Sequence, residues 1–193
     1  SSSGFGNSGS INIEGDRLKI IEGATVSSNT GSSGNAGEIF IKASDSIEVS
    51  GKISDSEFAD VERSPGGIIA DVRRGAAGDG GKITIETGSL TVKEGAFLTT
   101  DTKGSGNGGD INIFASELIE VIGSEESKDD TQLVTAVKRG ATGNGGSLTI
   151  NTKNLIIRDG ADINSGTENS GNSGNLTVKA SESIVLQGTS KGI

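Results

Sequence analysis

Cysteine, methionine, tryptophan, tyrosine and histidine are all absent from this chain, proline occurs once, and the only aromatics are five phenylalanines. Without cysteine there are no disulfides and no thiolate metal sites. Without methionine and with so few rings, a core filled by large adaptable side chains is excluded. The interior has to be built from Ile, Val, Leu and Ala, which suits thin, regular layers. Cations are also in deficit, with 17 Lys and Arg against 26 Asp and Glu and a net charge of −9. That argues against nucleic acid and against an anionic membrane surface, since both require a cationic face. No apolar run approaches the length of a membrane span, so no membrane insertion is expected. The chain opens at Ser1 inside a repeat-like phrase with no signal peptide ahead of it, which predicts a segment of a longer protein.

What is abundant is glycine, with 32 residues. High glycine with little else to form a core suits a disordered chain, but here the spacing is ordered. A Gly-Asn-x-Gly phrase opens units at Gly6, Gly34, Gly106, Gly143 and Gly171, with Gly-Asp-Gly-Gly at Gly78. Five residues after each opening stands an aliphatic: Ile11, Ile39, Ile83, Ile111, Leu148 and Leu176. Two further on stands another: Ile13, Ile41, Ile85, Ile113, Ile150 and Val178. A second pair follows in every unit, Leu18 and Ile20 in the first, one residue later in alternate units, as at Ile47 and Val49. Glycine then recurs at Gly23, Gly51, Gly95, Gly123, Gly160 and Gly188, and a third pair follows in the short units, such as Ala24 and Val26.

Three period-two segments separated by turns make one coil with three faces. Stacked coils pair each strand with its equivalents above and below at about 4.8 Å per coil. The whole of 1–193 is therefore expected to be one all-β domain, a right-handed parallel β-helix of about six coils. Helices are excluded because glycine recurs inside every candidate window. Openings are 28 residues apart in short units and 44 or 37 in long ones, and aligning backwards from Gly78 and Gly143 assigns the surplus to Lys52–Gly67 and Ser124–Gln132. Ile68 and Leu133 then fall level with Ala24, and both insertions leave one edge of the solenoid at the same corner.

Gly143-Asn-Gly-Gly-Ser-Leu-Thr-Ile-Asn-Thr, the following Leu155-Ile-Ile-Arg-Asp-Gly-Ala-Asp-Ile, Ala180-Ser-Glu-Ser-Ile-Val-Leu-Gln-Gly-Thr-Ser and Ser64-Pro-Gly-Gly-Ile-Ile resemble the repeats of filamentous-haemagglutinin-like exoproteins of the two-partner secretion pathway, cyanobacterial type. The resemblance covers nearly the whole chain. It implies export through an outer-membrane transporter partner, a secreted or cell-surface location, and a role in adhesion. It carries over no catalytic residue.

Residues 104–109 fit a dinucleotide-binding glycine pattern, but a strand rather than a helix follows, and the phrase recurs as a corner in every unit. A regular calcium roll is excluded, because the position of Asp110 is occupied by Ser10, Glu38, Lys82, Ser147 and Asn175 elsewhere. The inserted loops carry Asp55, Glu57, Asp60 and Glu62, then Glu125, Glu126, Asp129 and Asp130. Such carboxylates can collect a hard cation such as Ca2+, or form a solvated acidic edge. Arg73, Arg74, Lys138 and Arg139 occupy matching positions and predict a basic strip that either contacts an acidic polysaccharide or balances its acidic neighbours. Phe40 is expected to point outward near Phe58, as loop packing or as the wall of a sugar groove.

Two functions compete: a non-catalytic adhesive segment that presents a glycan or cell-surface ligand, and a polysaccharide-degrading β-helix enzyme. Hydrolysis needs two suitably spaced carboxylates, and Asp159 with Asp162 is the tight pair in sequence. An ice-binding face is excluded by the mixed row Asn12, Phe40, Thr84, Asn112, Thr149 and Thr177.

Overall fold

The computed structural model describes residues 6–51, 66–124 and 130–188. The fold is all-β, with parallel strands stacked coil upon coil as a parallel β-helix. One sheet holds six long strands in the order β1 (Ile11–Ile20), β3 (Ile39–Ser50), β5 (Ile83–Lys93), β7 (Ile111–Ile122), β9 (Leu148–Arg158) and β11 (Leu176–Gln187). The second holds five strands of three residues: β2 (Thr25–Ser27), β4 (Gly67–Ile69), β6 (Phe97–Thr99), β8 (Gln132–Val134) and β10 (Asp162–Asn164). A column of single parallel bridges, Thr30 to Val72 to Thr102 to Val137 to Thr167, completes the coil.

Like residues lie on like, as the spacing demands. Ile39 pairs with Ile83, Ile83 with Ile111 and Ile111 with Leu148, while Ile41, Ile85, Ile113 and Ile150 form the next column. Strand alternation turns these columns inward, and Ile83, Ile85, Ile111 and Ile113 are wholly excluded from solvent. Each such side chain contributes about 1.5–3 kcal/mol of burial. The expected first and second segments of each coil are in fact one strand of 10 to 12 residues, bent where its register shifts. At that bend short units have one fewer residue than long ones: Gly15 and Arg17 lie opposite Ala43 and Ser46.

Strand register corrects the placement of the surplus. Ile68 pairs with Val26 and Leu98, and Leu133 with Leu98 and Ile163, so neither is level with Ala24. The extra residues of a long unit are spread over three places. One lies at the bend, and two lie between the bridge column and the next opening glycine, where Val72 and Val137 precede it by six residues and Thr102 by four. The remainder precede the short strand. Counting backwards from a glycine misplaced the insertions because it treated the final corner as constant in length.

The glycine corners are of two kinds. In short units Glu22-Gly23, Glu94-Gly95 and Asp159-Gly160 all take positive φ, and each turn closes with a bond such as Ala96 N–H to Lys93 O at 3.1 Å. Two successive left-handed residues define a type I′ turn. The opening glycines need no special φ; they are glycine because coils touch there. A Cβ on Gly34, Gly78, Gly106, Gly143 or Gly171 would lie 2.5–2.9 Å from the carbonyl carbon of the preceding opening glycine. The adjacent column bonds along the axis: Asn35 N–H donates to Asn7 Oδ1 (2.8 Å), Asp79 to Asn35 (2.9 Å), Asn107 to Asp79 (2.8 Å) and Asn144 to Asn107 (2.9 Å).

Candidate functional site

The two extra corner residues of the long units place Arg73-Arg74 and Lys138-Arg139 in matching turns. Ala76 N–H donates to Arg73 O at 3.0 Å and Ala141 N–H to Lys138 O at 3.0 Å, with Gly75 and Gly140 at φ +80° and +87°. Positive φ at the third residue alone is the type II turn, which calls for glycine there. Arg74 and Arg139 therefore sit at the exposed tips of two equivalent turns, two coils apart, or about 10 Å along the axis. Lys103 lies on the coil between, directly after the bridge residue Thr102. Arg74, Lys103 and Arg139 line a concavity of about 200 Å³ together with Ser105 and Thr142.

Two buried carboxylates underlie this corner. Asp71 and Asp101 are 6% and 5% exposed and belong to a column of side-chain oxygens that cap the next coil's main chain. Asn29 Oδ1 accepts from Asp71 N–H (2.9 Å), Asp71 Oδ1 from Asp101 N–H (2.9 Å), and Asp101 Oδ1 from Ala136 N–H (2.7 Å). Thr99 Oγ1 also donates to Asp71 (3.0 Å). The second oxygens meet lysines from the coil above: Lys103 Nζ lies 3.0 Å from Asp71 and Lys138 Nζ 3.4 Å from Asp101. Burial holds the Asp101 carboxyl above the usual range, and the charge of Asp71 adds to this against the Ala136 amide and both lysines. Lys138 also reaches Glu168 at 3.7 Å. Arg73, Arg74 and Arg139 form no ion pair among the described residues.

The corner thus sets lysines that are paired with aspartates beside arginines that form no ion pair among the described residues. Among the described residues the lysines pair with Asp71 and Asp101 at the same corner, and Lys138 also with Glu168. Sequence reasoning found the four basic residues but missed Asp71, Asp101 and Lys103. The signal was present in the column Asn29, Asp71, Asp101, but it needed the strand register to be visible.

Asp55, Glu57, Asp60, Glu62, Glu125, Glu126, Asp129 and Phe58 lie outside the described residues; Asp130 is described and exposed. Among the described residues no group of three or more potential ligands is placed to hold a metal ion. Phe40 is half-buried on the outward side of β3, between Asn12 and Thr84. The more exposed ring is Phe114, at 44%, which borders a groove of about 540 Å³ along the bend with Lys42, Glu86, Asn151 and Lys153. The groove's cations are compensated: Lys42 pairs with Glu86 at 3.2 Å and Lys153 with Glu117 at 2.8 Å. Asp159 is tied to Arg158 in an ion pair and so is not directed at a partner carboxylate.

Comparison with family models, curated proteins and solved structures found no match.

Proposed function

We propose that this chain is a non-catalytic, adhesive segment of a large bacterial exoprotein, secreted to or held at the cell surface through an outer-membrane transporter partner. The observation that supports it most is the division of labour within the coil. The inward columns repeat with almost no variation, whereas the described extra residues of long units fall at the bend and at the last corner. A rigid stack with variable corners suits the display of contacts at a fixed pitch, as expected of loops on a rigid scaffold. The export route and the surface location rest on the resemblance of the repeat phrases.

The polysaccharide-degrading alternative has one observation in its favour, the adjacency of Asp71 and Asp101 with the raised Asp101 carboxyl. Against it, each has one oxygen held by a main-chain amide of the next coil and the other by a lysine, an arrangement that caps a wall. The test is to immobilise the chain, present it to a glycan array and to intact cells, and analyse the supernatant for released saccharides. Retention without release is expected. Release of oligosaccharides that disappears in Asp101→Asn would replace the adhesive reading with the enzymatic one.

A further inference from the structure

We infer that Arg74 and Arg139, with Lys103 between them, form an oxyanion-binding site in which the two arginines take the sulfate or carboxylate groups of a linear acidic glycan. The identity of the polymer rests on the adhesive reading above; the site itself rests on geometry.

Three observations carry it. First, the pattern basic-Arg-Gly-Ala occurs at both long-unit turns, Arg73 to Ala76 and Lys138 to Ala141, and in both the glycine has the positive φ that fixes the arginine at the tip. A solvated turn needs no cation at that place, and the chain already has a net charge of −9 to keep it soluble. Second, these arginines are uncompensated among the described residues, while the lysines beside them are held down by buried aspartates. An anion arriving there meets guanidinium charge that no carboxylate among the described residues has already neutralised. The guanidinium fork matches the planar or tetrahedral oxygens of such groups in bidentate fashion. Third, Arg74 and Arg139 line one concavity together with Lys103, Gly104 and Ser105.

The spacing selects the polymer. Arg74 and Arg139 are about 10 Å apart along the axis, set by two coils, whereas a nucleic acid strand carries a phosphate about every 3.4 Å. A sparsely charged chain, with an acid group on alternate sugars, matches that interval better. Among the described residues no aromatic lines the corner on which a base could stack, and the exposed Glu168, 3.7 Å from Lys138, repels a dense polyanion.

The experiment uses the intact chain and reads the arginine side-chain 15Nε resonances. Sodium sulfate is titrated against sodium chloride at equal ionic strength, followed by uronic-acid, sulfated and neutral hexasaccharides and single-stranded DNA of matched charge. Sulfate is expected to shift Arg74 and Arg139 together, and one or both acidic hexasaccharides to bind; whichever does names the acid group. Arg74→Gln with Arg139→Gln should weaken that binding at least tenfold and lower the salt-dependence slope by about two, while Lys179→Gln leaves both unchanged. No response to sulfate, or equal loss with Lys179→Gln, overturns the site. Equal binding of the neutral hexasaccharide, or tighter binding of DNA, overturns its ligand. Array retention that survives the double arginine variant removes this site while leaving the adhesive function in place.

Discussion

Replacing Gly109 by alanine inserts one methyl group between two coils that have no space for it. The new Cβ would meet the Gly81 carbonyl oxygen first, and would lie 2.6 Å from the Gly81 carbonyl carbon and 3.1 Å from that of Gly80, where ordinary contact begins at 3.4 Å. Both obstacles are backbone, so no side chain can swing aside. The coils must part locally by about 1 Å or more to relieve the oxygen contact. That stretches the neighbouring bonds from Gly80 N–H to Asn107 O (2.7 Å) and from Ile83 N–H to Asp110 O (2.9 Å) to the limit of hydrogen bonding or beyond. Two bonds weakened at about 1 kcal/mol each, added to an overpacking cost of about 1–3 kcal/mol, give a loss near 4 kcal/mol. For a chain of this length that lowers Tm by about 8–16 °C. Gly9 is the equivalent glycine of the first coil and has nothing within 4 Å of its would-be Cβ. Gly9→Ala should therefore stay within about 0.5 kcal/mol of the parent. Thermal and urea denaturation followed by far-UV circular dichroism measures both. A Gly109→Ala variant within about 1 kcal/mol of the parent, or a Gly9→Ala variant that falls as far, would refute the argument that coil contact requires these glycines.

Asp101→Asn keeps the acceptor for Ala136 N–H, just as Asn29 serves Asp71, but removes a buried charge. Because the folded carboxyl is raised, its contribution is fully present below the unfolded pKa and is lost as pH rises through the folded value. The variant should gain up to about 1 kcal/mol at neutral pH and nothing below the ordinary carboxylate range; a urea midpoint lower than the parent's at neutral pH contradicts this. Thr135 Oγ1 is buried without a hydrogen-bond partner among the described residues, so Thr135→Val should raise stability by about 1 kcal/mol, with an unchanged or lowered Tm counting against it. Ile113 is fully buried and Phe114 is 44% exposed. Calorimetry should show a loss of about 2–5 kcal/mol for Ile113→Ala and about 0.5 kcal/mol or less for Phe114→Asn; equal losses would mean the strand faces are misassigned.

The inward columns were legible because period-two aliphatics at a fixed offset leave only one way to stack. Ile11, Ile39, Ile83, Ile111, Leu148 and Leu176 lie in one ladder, as their spacing required. The matched positions of Arg73 and Lys138 were legible for the same reason. What was hidden depended on register rather than composition. A one-residue difference at the bend and a two-residue difference at the last corner both vanish into a total length. Distributing that total requires knowing which residue of each strand faces which. The Asp71 and Asp101 pair was hidden likewise, since 30 residues separate them and the repeat shows apolar or uncharged residues at their position in other coils. That Arg74 and Arg139 form no ion pair among the described residues follows only once the lysine partners are known.

The column of bonds that joins each coil to the next has a mechanical consequence. Nearly all inter-coil bonds lie along the axis, and each coil touches only its neighbours, so tension applied to the two ends unspools the stack from its termini one coil at a time. About 5 Å of rod then becomes about 95 Å of free chain for a coil of 28 residues, as between Gly78 and Gly106. The unit of 44 residues from Gly34 releases about 150 Å, and the unit of 37 from Gly106 about 125 Å. A tether built this way lengthens in unequal steps instead of snapping, and single-molecule force traces of the chain should carry that uneven ladder of step lengths.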